Sequence, residues 1–178
     1  MTKTLRDPLL RAGALTVNTG KNLFALAAAL VLFAVPVAIL YSDKILREAY
    51  NHWSIADSQL PIGPLVALML FVSAVLALWW LFFTYLAKIV DTVVQGDPFI
   101  AANADRLMRM AGLLLAIQLF YIPTAAFGLI VETALKGPTS TVDIFWDFTG
   151  LLMVLTLFVF ARVFRLGADM RSDLKGTI

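Results

Sequence analysis

The sequence predicts an all-α, polytopic integral membrane protein: four transmembrane helices with helical extensions into the cytoplasm. Three observations lead there. Of the 178 residues, 61% are apolar and 15% charged, with a mean hydropathy of +0.87; a soluble domain is about 45–50% apolar and about 25% charged. A globule of this size has too much surface for its volume to hide that excess from water, and disorder requires the opposite composition. The chain also contains four apolar runs near the roughly 20 residues that cross a bilayer as a helix. Finally, its basic residues are concentrated in alternate connecting segments.

The first run, Leu23–Tyr41, is uncharged and holds Pro36. Its length, and the absence of a small-residue cleavage site after it, predict a retained anchor rather than a cleaved signal. The second run is Leu65–Ala87. Pro61 and Pro64 stand at its start, where a first-turn proline costs little. The third, Met110–Val131, is interrupted only by Gln118 and Pro123. The fourth, Phe148–Ala161, is short and reaches spanning length if residues 144–147 join it. One membrane domain over 1–178 is expected, with spans at about 23–41, 62–87, 110–131 and 144–161, a cytoplasmic loop at 88–109 and a cytoplasmic tail at 162–178.

Charge sets the expected orientation. Lys3, Arg6, Arg11 and Lys21 precede the first span, Lys88, Arg106 and Arg109 lie between the second and third, and Arg162, Arg165, Arg171 and Lys175 follow the fourth. The other two loops hold only Lys44, Arg47 and Lys136. Short, basic-rich segments stay in the cytoplasm. Both termini and the middle loop are therefore expected in the cytoplasm.

In the first outer loop, Asp43–Arg47 and Lys44–Glu48 are i,i+4 pairs that predict a further turn or two of helix. Trp53 is expected to anchor at the headgroups, and His52 to be a solvated or interfacial side chain. In the middle loop, the second helix is expected to run through Gln95, with Gly96 as the residue just past its end. Asp97-Pro98 then reads as an N-cap and first-turn proline opening the next helix. Ile100, Ala104, Leu107, Met108 and Ala111 follow at helical spacing, with Asn103, Asp105, Arg106 and Arg109 as the polar residues between. Arg106 and Arg109 serve either anionic headgroups or a partner. The tail, residues 161–178, keeps Phe164, Leu166, Met170 and Leu174 apolar among its charges and pairs Arg165 with Asp169. It either hugs the membrane, docks a partner or packs on the middle loop.

Functional chemistry is sparse. Cysteine is absent and histidine occurs once. No cofactor, haem or tightly held metal is therefore expected. No hydrolase, phosphate-loop or zinc-protease motif is present, and an enzyme is not expected. Nor is direct nucleic-acid binding, since the basic residues are spread over three short segments. No span carries an ionisable group at mid-membrane of the kind that transporters use. Gln118 is expected as an interhelical hydrogen-bonding group. Small residues four apart (Ala25/Ala29, Ala34/Ala38, Ser73/Ala77, Gly112/Ala116) permit close helix approach. Trp79, Trp80, Phe82 and Phe83 read as an interfacial aromatic belt.

Two stretches carry a resemblance. Residues 90–115, VDTVVQGDPFIAANADRLMRMAGLLL, contain a G-x-P-F turn at Gly96, Pro98 and Phe99. The ending ARVFRLGADMRSDLKGTI has an F-R-x-G stretch leading to an aspartate and a terminal Thr-Ile. With four spans and this length, the chain resembles the bacterial membrane proteins of domain-of-unknown-function family 2975, whose members are often encoded beside a small Cro/C1-type helix-turn-helix regulator. The resemblance implies a membrane partner of a cytoplasmic transcription regulator and brings no catalytic residues.

The leading functional expectation is thus a regulatory or scaffold protein working on its cytoplasmic face. The candidate partner-binding residues are Gly96, Asp97, Pro98, Phe99, Arg106, Arg109, Arg165, Asp169 and Asp173. The alternative is a small permease or channel subunit acting as a homo-oligomer. In either case the lipid bilayer is the constant partner.

Overall fold

The computed structural model describes the backbone of residues 8–44, 62–136 and 148–176, and the side chains of 10–44, 62–134 and 148–173. The described residues form four long helices: α1 Pro8–Leu40, α2 Ile62–Val94, α3 Ala101–Lys136 and α4 Phe148–Gly176. None of the described residues is in a strand. All four helices are long and apolar enough to cross a membrane.

The helices outrun their apolar runs. At 1.5 Å per residue they are about 43–54 Å long, against about 30 Å of hydrocarbon. Residues 8–22, 88–94, 101–109 and 162–176 are helical although hydropathy does not mark them. These segments contain Ala, Leu, Met, Arg and Lys, good helix formers that continue a helix once it is nucleated. Pro36 and Pro123 lie inside α1 and α3. Each removes one backbone donor. The Thr124 hydroxyl, next to Pro123, donates to the Phe120 carbonyl at 2.7 Å. The Asp43–Arg47 and Lys44–Glu48 pairs, His52, Trp53, Pro61 and residues 144–147 lie outside the described residues in whole or in part; Ser42–Lys44 are helical.

The chain forms two compact units. One comprises Ala25–Ala77 and Leu119–Trp146. In it Phe71 stacks on Phe127 at 5.6 Å and meets Phe120 edge-on at 5.9 Å, joining α2 to α3. Ser73, buried, donates to the Ala28 carbonyl at 3.3 Å, joining α2 to α1. Leu26, Leu30, Phe33 and Leu40 of α1 stand exposed, as side chains do where hydrocarbon replaces water as solvent.

The other unit comprises Met1–Phe24, Leu78–Gln118 and Asp147–Ile178. Its core is Ile89, Leu107, Met110 and Ala161, with Phe82, Tyr85, Leu86, Val93, Leu157 and Phe164 packed against it, so α2, α3 and α4 meet there. Phe24 of α1 stacks on Trp79 at 5.8 Å and on Phe83 at 5.3 Å. The ring of Phe83 also leaves only 3.2 Å to the place a Cβ on Gly20 would occupy. Trp79, Phe82 and Phe83 thus form an aromatic joint that packs on Phe24 of α1; Trp80 is the exposed member of the group. Of the small-residue pairs, Gly112 faces open space, so close approach in this unit comes from Gly20, Ala161 and Gly167 instead.

Candidate functional site

The charged end of this second-described unit is organised around the α2–α3 turn. Gly96 takes φ +82°, the left-handed conformation that a Cβ disfavours. Its N–H donates to the Val93 carbonyl and the Asp97 N–H to the Thr92 carbonyl, both at 3.0 Å. This pair of bonds is the Schellman closure of a helix C-terminus, and Gly96 stands where the sequence places it. The start of α3 differs from expectation. Asp97 does not cap a helix at Pro98; residues 97–100 are irregular and α3 starts at Ala101, its first bond running from Asn103 N–H to the Ile100 carbonyl at 2.9 Å. The physical reason is that Asp97 is spent elsewhere: its N–H closes α2 and its carboxylate pairs with Arg171.

Below the turn lies a buried polar knot. Asn103 has 0% exposure. Its amide donates to Thr92 Oγ1 at 2.7 Å and to the Pro98 carbonyl at 2.8 Å, and its Oδ1 accepts from Arg106 at 2.7 Å. Arg106 also donates to the Lys88 carbonyl at 3.0 Å, and the Thr92 hydroxyl to the Ile89 carbonyl at 2.7 Å. Both amide hydrogens and the side-chain oxygen of Asn103 are satisfied, as burial of a polar group requires. Asn103 was missed as a site residue. It shares a helical stripe with Leu107, Met110 and Leu114, all buried, and a polar side chain on an apolar stripe was the available signal. Met108, expected on the apolar face with Ile100, Ala104, Leu107 and Ala111, is exposed instead.

The C-terminal half of α4 clamps the turn. Phe99 packs on Phe164 with ring centres 5.2 Å apart and lies over Gly167, where a Cβ would stand 2.9 Å from Phe99 Cδ1. Arg171 pairs with Asp97, and Arg165 with Asp105. Arg165 therefore does not use the Asp169 four residues on. Of the three alternatives for this tail, packing on the middle loop is the one the structure adopts for residues 161–173. Asp169 is exposed, its carbonyl accepting from the Ser172 hydroxyl at 2.7 Å. Asp173 is also exposed and has a partner. Arg109 stands over the Tyr85 ring at 5.7 Å. Gln118 is half-buried, and its side chain makes no hydrogen bond with another described residue. A cleft of about 350 Å³ opens between residues 97–101 of the turn and Ala168, Asp169, Arg171 and Ser172 of α4.

The turn, the knot and the clamp thus bring together most of the candidate residues and commit several of them to each other. Among the described residues, the four membrane-length helices end, in this unit, in a charged helical cluster. The chain belongs to the family described as Protein of unknown function (DUF2975), whose model matches residues 44–178. That match takes in α2, α3, α4 and every contact of the clamp. No curated protein and no solved structure matches the chain.

Proposed function

We propose that the protein is a non-catalytic regulatory or scaffold protein of the bacterial cytoplasmic membrane. In this reading the clamped end faces the cytoplasm and captures a segment of a partner protein in the cleft between the turn and α4. The observation that supports it is the clamp: Phe99 on Gly167, with the Asp97–Arg171 and Asp105–Arg165 pairs, brings the two walls of the cleft together within the folded chain. A preformed site loses less ordering entropy on binding than a floppy tail. The exposed ion pairs contribute at most about 1 kcal/mol each, so a partner's charges can exchange with them. Helix-turn-helix regulators of the kind encoded beside family members are the first partner to test.

Orientation comes first. The basic asymmetry predicts low phosphatase activity and high fluorescent-protein signal for fusions at Asp97 and Thr177, and the reverse at Asp57 and Pro138. High phosphatase activity at Asp97 overturns the cytoplasmic placement.

Capture is tested by filling the cleft. Ala168→Trp is expected to reduce in-membrane crosslinking to the partner about tenfold, as blockage of a central contact does. Met108→Trp, on an exposed position outside the cleft, is expected to leave it unchanged. Equal recovery with both variants refutes the cleft as the docking site.

A further inference from the structure

Lys88, Arg106 and Arg109 are three cations at one level of the same unit, and none contacts a carboxylate among the described residues. Arg106 spends its hydrogen bonds on the Lys88 carbonyl and the Asn103 amide oxygen, both uncharged. Arg109 donates to the Tyr85 hydroxyl at 3.4 Å and stands 5.7 Å from the Tyr85 ring centre. Lys88 Nζ stands 5.6 Å from the same centre. The natural neutraliser of Arg109 is Asp105, four residues earlier in the favourable acid-first order. That carboxylate is taken by Arg165 of α4. The clamp therefore leaves the positive charge beside Tyr85 uncompensated.

The position of this cluster points to its ligand. Lys88 is the first charge after the apolar run of α2, and Arg109 the last before the apolar run of α3. Both mark the level at which hydrocarbon gives way to headgroups. Both are exposed. On the hydrocarbon side of Arg109, Gly112 faces open space, with nothing within 4 Å of where its Cβ would stand. Leu115, one turn further, is exposed. An acyl chain has room to lie along that strip. The Tyr85 hydroxyl can donate to an anion while it accepts from Arg109.

We propose that Lys88, Tyr85 and Arg109 form a binding site for the phosphate of an anionic phospholipid, with its acyl chain along the Gly112–Leu115 strip. The two cations supply charge, the tyrosine hydroxyl supplies a directed hydrogen bond, and the open strip makes the ligand a lipid rather than free phosphate. The site is independent of partner capture in the cleft.

The test uses the purified full chain in neutral detergent, titrated with phosphatidylglycerol, with phosphatidylcholine and with inorganic phosphate, and read by native mass spectrometry. Phosphatidylglycerol is expected to bind at one site at least tenfold more tightly than phosphatidylcholine. A cation near the membrane surface is worth roughly fivefold in affinity for anionic lipid. Arg109→Gln and Lys88→Gln are each expected to lose at least that, and Tyr85→Phe about threefold, the share of one net hydrogen bond. Arg162→Gln, which removes an exposed cation one helix away, is expected to lose less than twofold. Equal losses for Arg162→Gln and Arg109→Gln mean a diffuse field and overturn the site. Competition by millimolar inorganic phosphate as effective as by the lipid overturns the lipid assignment. Thermal unfolding of each variant, unchanged within about 2 °C, excludes loss of fold as the cause.

Discussion

Asn103→Ala is expected to destabilise the clamped unit by about 3 kcal/mol, the largest effect of any single side chain outside the apolar core. The truncation leaves the Pro98 carbonyl without its donor and Arg106 with one acceptor in place of two. A buried polar group left unpaired costs about 1–3 kcal/mol, more where charge is involved, and a connected network loses more than its pairwise parts. Asn103→Leu is the informative companion. It restores volume but no hydrogen bonds, so it is expected to be nearly as damaging. Thermal unfolding in detergent reads the loss, and amide hydrogen exchange places it: the amides of residues 92–97 are expected to exchange faster in both variants. A leucine variant as stable as the parent would show that the site needs filling rather than bonding.

Gly167→Val is expected to cost about 2 kcal/mol. A Cβ at this position meets the Phe99 ring at 2.9 Å, and that ring is backed by Phe164. Overpacking of a fitted contact costs about 1–3 kcal/mol. Gly112→Ala is the control: it faces open space, and the better helix propensity of alanine is expected to stabilise by a few tenths to about 1 kcal/mol. Adding Phe99→Ala to Gly167→Val is expected to recover part of the loss, since the two positions share one contact. Additive losses in a double-mutant cycle would contradict that pairing.

The helices were legible in the sequence because hydrocarbon demands a long apolar run, and Leu23–Tyr41, Leu65–Ala87 and Met110–Val131 supply it. Where each helix ends was less legible. A helix that leaves the membrane keeps its hydrogen bonds while its hydropathy falls, so residues 162–176 of α4 show only the scattered apolar residues Phe164, Leu166, Met170 and Leu174 in place of a continuous run. Gly96 was readable because a single residue type solves a left-handed helix end. Asp97-Pro98 misled because local capping rules do not register that α4 claims the carboxylate. The Arg165–Asp169 spacing failed for the same reason: spacing within a helix is blind to Asp105 on another. The candidate residues of the middle loop and of the tail do meet in space, yet they were read as free for a partner when the chain itself occupies many of them. Asn103 lay in view between charged neighbours, and only its alignment with Leu107 and Met110 distinguished it.

The two sets of contacts at the turn also differ in how much chain they close. The Asn103 amide reaches partners 11 and 5 residues away, and Arg106 reaches back 18. The α4 pairs join residues 60 and 74 apart. Loop-closure entropy rises as the logarithm of length, so closing 74 residues costs about 1.7 kcal/mol more than closing 11. On a chain made from its N-terminus, the knot has all its members as soon as α3 begins, whereas Arg165 and Arg171 are added 60 and 74 residues after the carboxylates they pair with. The turn is thus assembled before the helix that clamps it exists. Until α4 arrives, Asp97, Phe99 and Asp105 lack the partners with which they end.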